Sequence, residues 1–183
     1  METRDILKQL KTNIGIFGIV AMAVLLRLIP HPPNMAPIAG LALFSGAHLS
    51  KKQAISISLL AMLVSDIFLG FHTTIPFVYG SFIATVFIGS LLKNNQKGTY
   101  ILSASLASSL LFYIVTNFGV WLTSDMYAKT SNGLLQTYVL AMPFFRNTIL
   151  GDLVYTFSFF YGYIIIERFV LKHKIATISS KKS

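Results

Sequence analysis

The side chains best suited to chemistry are four ionisable groups that interrupt long apolar stretches of the chain. They are Arg27, Asp66, Arg146 and Asp152. Ionisable groups within a bilayer are costly, by about 2.5–3.5 kcal/mol on insertion scales, and they usually face a bundle interior or a wet cavity. Two acids and two bases therefore predict either a polar ligand pocket or structural ion pairs that lock helices together.

Six other polar or aromatic side chains could orient a ligand beside these charges. They are Asn34, His72, Tyr79, Asn117, Trp121 and Asn147. Tyr113, Asn117 and Trp121 follow each other at intervals of four residues, so they would share one face of a helix. Their aromatic rings could stack on a ligand, and their amide groups could hydrogen-bond to it. Trp121 also suits an interfacial belt, and Asn147 also suits a helix cap.

Other chemistries receive less support from the sequence. The chain has no cysteine, which excludes thiol nucleophiles and thiolate metal sites. His31, His72 and Asp66 form the set that could meet at a metal ion. Acid–base catalysis by Asp66, His72 or Asp152 is an alternative, but no activated serine or cysteine constellation accompanies it. We expect no enzyme, no resident metal and no cofactor.

The elements that must position these residues belong in a membrane. Of the 183 residues, 54% are hydrophobic and 11% are charged, whereas soluble domains are nearer a quarter charged. A soluble fold of this size would leave much of its apolar surface wet. The net charge of +9 accompanies no nucleic-acid-binding motif and no basic stripe with interleaved aromatics. We therefore expect membrane lipid, and no nucleic acid, around the chain.

Six apolar stretches approach the length of about 20 residues that a membrane-spanning helix needs. They are residues 14–29, 35–49, 54–70, 75–92, 100–122 and 147–171. Residues 133–145 are too short to span and contain Pro143, so they predict an interfacial or re-entrant cap. The sequence thus predicts an all-α membrane protein with a six-helix transmembrane bundle over residues 14–171. An N-terminal segment, 1–13, precedes the bundle and a basic tail, 172–183, follows it.

Small residues are concentrated in the second predicted span. They are Ala36, Gly40, Ala42, Gly46 and Ala47. Because small side chains let helix backbones approach closely, this segment is predicted to pack tightly against its neighbours.

Lysine and arginine are distributed unevenly between the predicted connections. Twelve of the 15 fall before the first span, in the second-to-third and fourth-to-fifth hairpins, or at and beyond the end of the sixth span. Because positive residues stay on the cytoplasmic side, this bias predicts both termini inside. The ten candidate ligand-binding residues then all fall in the outer half of the bundle, which predicts a pocket open to the outside.

Four segments carry a family resemblance. They are RLIPHPPN at residues 27–34, SD at 65–66 with GFH at 70–72, TNFGVW at 116–121, and FFRNT at 144–148 with GD at 151–152. Between residues 25 and 162 the chain resembles a family of small, largely uncharacterised bacterial membrane proteins described as transport proteins. It is also similar to the S components of energy-coupling factor transporters.

The resemblance implies six helices, a bacterial inner-membrane location with both termini cytoplasmic, and a capped ligand pocket near the outer face. It also implies docking on an energy-coupling transmembrane protein with ATPase subunits. The chain itself has no phosphate-binding Gly-x-x-x-x-Gly-Lys-Ser/Thr motif, so an ATP-driven step would need another subunit. S components dock through small residues in the first helix, and here Gly15, Gly18, Ala21 and Ala23 form no regular small-xxx-small repeat.

Together these observations predict a protein that captures a small polar solute, vitamin-like or a related metabolite, from the outer face for uptake. The alternative is a structural or assembly subunit of a membrane complex.

Overall fold

The computed structural model describes residue 18, residues 21–30 and residues 32–180. This part of the chain folds into six helices and contains no strand. α1 covers residues 21–28, and the others are α2 (Ile38–His48), α3 (Lys51–Leu69), α4 (Ile75–Ser90), α5 (Gly98–Thr123) and α6 (Ser131–Ser180). The predicted all-helical fold is confirmed. The predicted N-terminal segment 1–13, His31 and residues 181–183 of the predicted tail lie outside the described residues.

Within the described residues, three helices are long and apolar enough to cross a membrane. They are α3, α5 and the part of α6 that extends from Ser131 to Arg168. α2 and α4 are also apolar but have 11 and 16 residues, which makes them about 16 and 24 Å long. The hydrocarbon core is about 30 Å thick. The length and composition of α3, α5 and α6 are therefore those of membrane-spanning helices.

α2 is the central helix of the bundle. Its residues from Ile38 to Ala47 are all buried, and it packs against α3, α4, α5 and α6. A Cβ added to Gly40 would lie 2.9 Å from the backbone nitrogen of Thr156, and one added to Gly46 would lie 2.3 Å from the carbonyl oxygen of Val86. The tight packing that the small residues predict for this segment is confirmed.

Local turn chemistry separates the helices. After α1 the chain turns, and Asn34 adopts a φ of 62°, a left-handed conformation that asparagine tolerates better than most residues. Ser50 and Gln53 form a capping box at the start of α3, which satisfies backbone donors that the first turn leaves unpaired. Gly70 ends α3 with a φ of 96°, a conformation that glycine adopts without steric cost.

The predicted break at Pro143 is wrong, because α6 continues through it from Ser131 to Ser180. Proline removes one backbone N–H, but membrane helices tolerate it when neighbouring groups support the backbone. Tyr113 of α5 packs against α6 on both sides of Pro143. Its hydroxyl donates to the carbonyl of Tyr138 over 2.5 Å, and its ring stacks on Phe145 with centroids 4.4 Å apart. Residues 133–145, predicted as a separate cap, are the first part of α6.

α6 also continues beyond residue 171, the predicted end of the last span. Residues 172–180 contain neither glycine nor proline, so no helix-stopping residue lies there. The 50 residues of α6 make it about 75 Å long, more than twice the thickness of the hydrocarbon core of about 30 Å. A large part of α6 must therefore lie outside that core.

Candidate functional site

A cavity of about 520 Å³ lies among the helices. Its volume falls within the range of about 300–1,000 Å³ that small-molecule sites occupy. The connections that follow α1, α3 and α5 contribute to its wall, whereas the described connections that follow α2 and α4 contribute no residue. The cavity is therefore at the end of the bundle opposite the hairpins that carry Lys51, Lys52, Lys93 and Lys97.

The wall of the cavity is mainly apolar and carries a few polar groups. Its apolar side chains include Ile38, Met62, Val78, Phe82, Phe112, Leu140, Ala141 and Phe144. Its polar side chains include Arg27, Asn34, His72, Thr116, Asn117, Thr137, Thr148 and Asp152. Five of the ten predicted ligand-binding residues are thus brought together, namely Arg27, Asn34, His72, Asn117 and Asp152. Such a wall can bury an apolar body and orient it through a small number of hydrogen bonds.

Arg27 of α1, Asp66 of α3 and Tyr79 of α4 form one hydrogen-bonded group. Arg27 Nη2 lies 2.7 Å from Asp66 Oδ1, and the Tyr79 hydroxyl donates to Asp66 Oδ2 over 2.8 Å. Arg27 Nη1 also donates to the hydroxyl of Ser65 and, over 3.1 Å, to the carbonyl of Met62. The group ties three helices together and fixes the guanidinium at the cavity wall.

Asp66 itself is not part of the cavity wall. Its residue surface is 1% exposed, and both of its carboxylate oxygens already accept a hydrogen bond within the group described above. A ligand could reach Asp66 only by displacing Arg27 or Tyr79. The role of Asp66 as a ligand acceptor stays a prediction, and the geometry favours the structural ion pair that the sequence left as the alternative.

Asp152 of α6 brings a buried carboxyl group to the cavity wall. It is 3% exposed, and Ser109 of α5 donates its hydroxyl to Oδ2 over 2.7 Å. Among the described residues the ion pair is that of Arg27 with Asp66, so no described basic side chain pairs with Asp152. Thr148, one turn earlier, is in the same wall, as the spacing of these two residues predicts. A ligand at this wall meets a carboxyl group without a counter-charge from the described protein.

Two of the three loops that contribute to the cavity wall are held by side-chain hydrogen bonds. Asn34 and Pro33 belong to the loop before α2, and Asn147 of α6 holds this loop by donating its Nδ2 to the carbonyl of Pro33 over 3.2 Å. His72 and Thr74 belong to the loop before α4, and His72 Nδ1 lies 2.7 Å from the hydroxyl of Thr74. Asn147 is not in the wall, so its contact positions the loop that carries Asn34.

Tyr113, Asn117 and Trp121 were predicted to share one helix face, but in the structure their side chains contact different parts of the molecule. Tyr113 contacts α6, as described above, and Asn117 is in the cavity wall, where its Nδ2 donates to the carbonyl of Tyr113 over 2.8 Å. Trp121 Nε1 instead donates to the carbonyl of Ala128 in the following loop over 3.0 Å. Neither Trp121 nor the exposed Arg146 is in the wall.

Several wall residues were not singled out by the sequence. Thr116 and Thr137 donate their hydroxyls to carbonyls of their own helices, over 2.7 and 2.9 Å, and Phe82 and Phe112 lie against each other with ring centroids 5.4 Å apart. Threonine and phenylalanine are ordinary residues of apolar helices. No local spacing distinguishes those that face a cavity from those that face lipid.

No group of three or more histidine, aspartate or glutamate side chains lies together in the part of the chain that the structure describes. The metal set considered from the sequence depends on His31, which lies outside that part. His72 contacts Thr74, and Asp66 contacts Arg27 and Tyr79. These contacts give the metal alternative no support.

Comparison with known proteins identifies a family without assigning an activity. No curated protein and no solved structure matches the chain. A family model described as a family of unknown function, DUF6580, matches residues 8–175. This match extends over nearly the whole sequence and includes every described residue of the cavity wall. The chain therefore belongs to the DUF6580 family.

Proposed function

We propose that this protein crosses a bacterial inner membrane six times, with both termini cytoplasmic, and captures a small polar solute from the outer face for uptake. The observation that carries the proposal is the cavity of about 520 Å³, which combines an apolar wall with Arg27, Asn117 and Asp152. A cavity with these features is the default form of a small-molecule site.

The position of the cavity supports capture from outside. It lies at the end of the bundle away from the lysine-bearing hairpins, and lysine-rich connections mark the cytoplasmic side of membrane proteins. The short helices α2 and α4 fit this topology as central segments whose ends are completed by loops, because irregular backbone at membrane depth is tolerated where protein or a cavity surrounds it.

The side chains of the wall suggest how a solute would be held. Asp152 would accept a hydrogen bond from a donor group of the solute, and Asn117 would offer its amide oxygen, since the described contact uses its Nδ2. Arg27, held by Asp66, would instead donate hydrogen bonds to a carboxylate or another acceptor group of the solute. An amphipathic solute with an apolar ring and polar substituents matches this arrangement, as a vitamin-like molecule does.

Uptake would need a source of energy that this chain does not contain. The resemblance to S components suggests an energy-coupling membrane protein and ATPase subunits as partners. Copurification of such subunits after mild solubilisation would support this part of the proposal without bearing on the pocket itself.

The pocket is tested by native mass spectrometry of the full chain, solubilised mildly from its own membrane. Wild type is expected to carry a bound small molecule that Asp152→Asn loses, because the amide keeps the shape of the carboxyl group but cannot carry its charge. Asp125→Asn is the matched control, since Asp125 is exposed and is not in the cavity wall. It should retain the molecule.

An empty wild-type protein that nevertheless copurifies with a stable partner would contradict capture and favour the assembly-subunit alternative. Release of an altered molecule after incubation would favour an enzyme, because transport leaves its solute chemically intact.

A further inference from the structure

The third loop of the cavity wall, residues 124–130 between α5 and α6, borders the mouth of the cavity. Its residues Met126 and Tyr127 line the cavity, and Met126 is at the same time 74% exposed. A side chain that lines the cavity and is still largely exposed lies where the cavity meets its surroundings. The position of this loop therefore affects access to the cavity.

Two side chains fasten this loop to the end of α5. Trp121 donates its Nε1 to the carbonyl of Ala128 over 3.0 Å. Lys129 reaches back across the loop, and its Nζ donates to the carbonyl of Ser124 over 2.6 Å and to the carbonyl of Trp121. The same Nζ lies over the indole ring of Trp121, 5.9 Å from the ring centroid. We call these contacts of Trp121 and Lys129 the clamp.

The backbone of the loop contributes little support of its own. Within residues 124–130 the described backbone hydrogen bond is that from Thr130 to the carbonyl of Ala128, over 2.8 Å. Segments with few backbone hydrogen bonds open locally at a low cost in free energy. The clamp is therefore the main restraint on this loop.

The other two loops of the wall are restrained by their covalent structure as well as by side-chain contacts. The loop before α2 contains Pro30, Pro32, Pro33 and Pro37, and each proline fixes its own φ. The loop before α4 covers only residues 70–74, between two helices that pack against each other. Residues 124–130 contain no proline and form a longer connection, so this loop is the one best able to move.

We propose that the loop of residues 124–130 is the gate of the cavity and that Trp121 and Lys129 are positioning residues that hold it closed. A solute would enter or leave when the clamp opens. The inference rests on the proposed solute capture and deepens it by assigning the path of entry. It also gives a role to Trp121, which lies outside the cavity wall.

The simpler reading is that each side chain does only local work. Lysine near a helix C-terminus commonly bonds the last carbonyl groups, and tryptophan is common at the membrane interface. Both roles would leave access to the cavity unchanged when the clamp is broken. The two readings are therefore separated by measuring access directly.

Access is measured on the full-length protein carrying Ala141→Cys, with a small water-soluble methanethiosulfonate as the probe. Ala141 lies in the cavity wall and is 9% exposed, and the chain has no other cysteine to react. The reaction proceeds through the open state, so its rate reports the population of that state when opening is fast. With the clamp intact, labelling is expected to be much slower than in Asn94→Cys, where the thiol would be exposed.

The decisive variants, each combined with Ala141→Cys, are Lys129→Met and Trp121→Phe. Lys129→Met keeps a long side chain without the ammonium group, and Trp121→Phe keeps an aromatic ring without the N–H donor. Each should accelerate labelling about tenfold, because each removes hydrogen bonds that hold the loop. Lys93→Met is the matched control, since Lys93 is exposed at the opposite end of the bundle, and it should leave the rate unchanged.

Gly133→Ala opens the gate by a different route. A Cβ on Gly133 would collide with the carbonyl oxygen of Ala128, which is the acceptor of the bond from Trp121. Because alanine is the better helix former, this variant should keep α6 intact while it displaces the loop. It is expected to accelerate labelling as Lys129→Met does.

Unchanged labelling in Lys129→Met, Trp121→Phe and Gly133→Ala would overturn the gate and leave the clamp as a local cap of α5. Labelling of Ala141→Cys as fast as that of Asn94→Cys, with the clamp intact, would also overturn it. Neither result depends on a solute. An empty wild-type protein in native mass spectrometry would instead contradict solute capture, while the labelling rates would still decide whether the loop controls access.

Discussion

At the scale of single residues, the charged side chains have unequal partners. Asp66 has both oxygens occupied by Arg27 and Tyr79, whereas Asp152 has one described bond, from Ser109. Breaking a buried ion pair by removing one partner leaves the other charge uncompensated. Asp66 is thus expected to affect stability first, and Asp152 to affect binding first.

Asp66→Ala is expected to lower the free energy of unfolding, by at most about 3–5 kcal/mol, because it leaves the partly buried Arg27 guanidinium without its counter-charge. Replacing both Arg27 and Asp66 by leucine should recover a large part of this loss. Thermal unfolding in detergent measures both effects. An Asp66→Ala protein that keeps its stability but loses a bound molecule would instead make Asp66 a ligand acceptor.

Tyr79→Phe gives a milder test of the same group. It removes one hydrogen bond to Asp66 and keeps the ring, so the expected loss is about 0.6 kcal/mol, with about 1.7 kcal/mol as the upper end for bonds between membrane helices. The same unfolding assay applies. A loss as large as that of Asp66→Ala would show that Tyr79 contributes more than this bond.

At the scale of the helices, close backbone contact around α2 determines the architecture. α2 is short, buried and surrounded, and glycines on both sides of its contact with α4 remove the side chains that would separate them. A Cβ on Gly89 of α4 would lie 2.4 Å from the carbonyl oxygen of Leu43 in α2. Association of membrane helices depends on such packing, because lipid provides little hydrophobic driving force between them.

Gly89→Ala is expected to destabilise the protein by about 1–3 kcal/mol, the range for overpacking a close contact. Gly80→Ala is the control in the same helix, because a Cβ there would meet nothing within 4 Å. Alanine is the better helix former by about 1 kcal/mol, so Gly80→Ala should be neutral or stabilising. Equal losses of unfolding free energy for the two variants would mean that the close contact between α2 and α4 does not determine the stability of the protein.

At the scale of the whole molecule, the cavity and the lysine-bearing hairpins occupy opposite ends of the bundle. A pocket that faces outward requires this arrangement. The arrangement follows because the connections after α1, α3 and α5 contribute to the cavity wall, whereas those after α2 and α4 do not. It also makes the membrane topology measurable, because the chain contains no cysteine and single cysteines can be introduced without a background reaction.

Asn94→Cys in the connection after α4 and Asp125→Cys in the connection after α5 are both exposed positions. The proposed topology predicts that a membrane-impermeant maleimide labels the cysteine at 125 when the inner membrane is intact and accessible from outside, and labels the one at 94 only after that membrane is opened. The control is that the reagent labels the cysteine at 125 both with the membrane intact and with the membrane opened, which shows that the reagent reaches the protein in each preparation. Labelling of both positions from the same side would exclude the proposed topology.

The sequence by itself determined the helical character of the protein, the presence of helices long and apolar enough to cross a membrane, and the tight packing near Gly40 and Gly46. These features depend on composition and on local spacing, so neighbouring residues contain the necessary information. Local rules failed at Pro143, where α6 continues through the proline and packs against Tyr113 of α5 on both sides. The break expected from proline chemistry alone was therefore not formed.

Only the tertiary structure decided which polar residues meet. Asp66 bonds Arg27, which is 39 residues away in sequence, and Asp152 bonds Ser109, which is 43 residues away. The spacing of residues in the sequence does not show which of these groups pair. Arg146 could equally have paired with Asp66, and Asp152 could equally have paired with Arg27. Serine in a helix normally bonds its own backbone, so the bond from Ser109 to Asp152 becomes visible only when α5 and α6 are packed together.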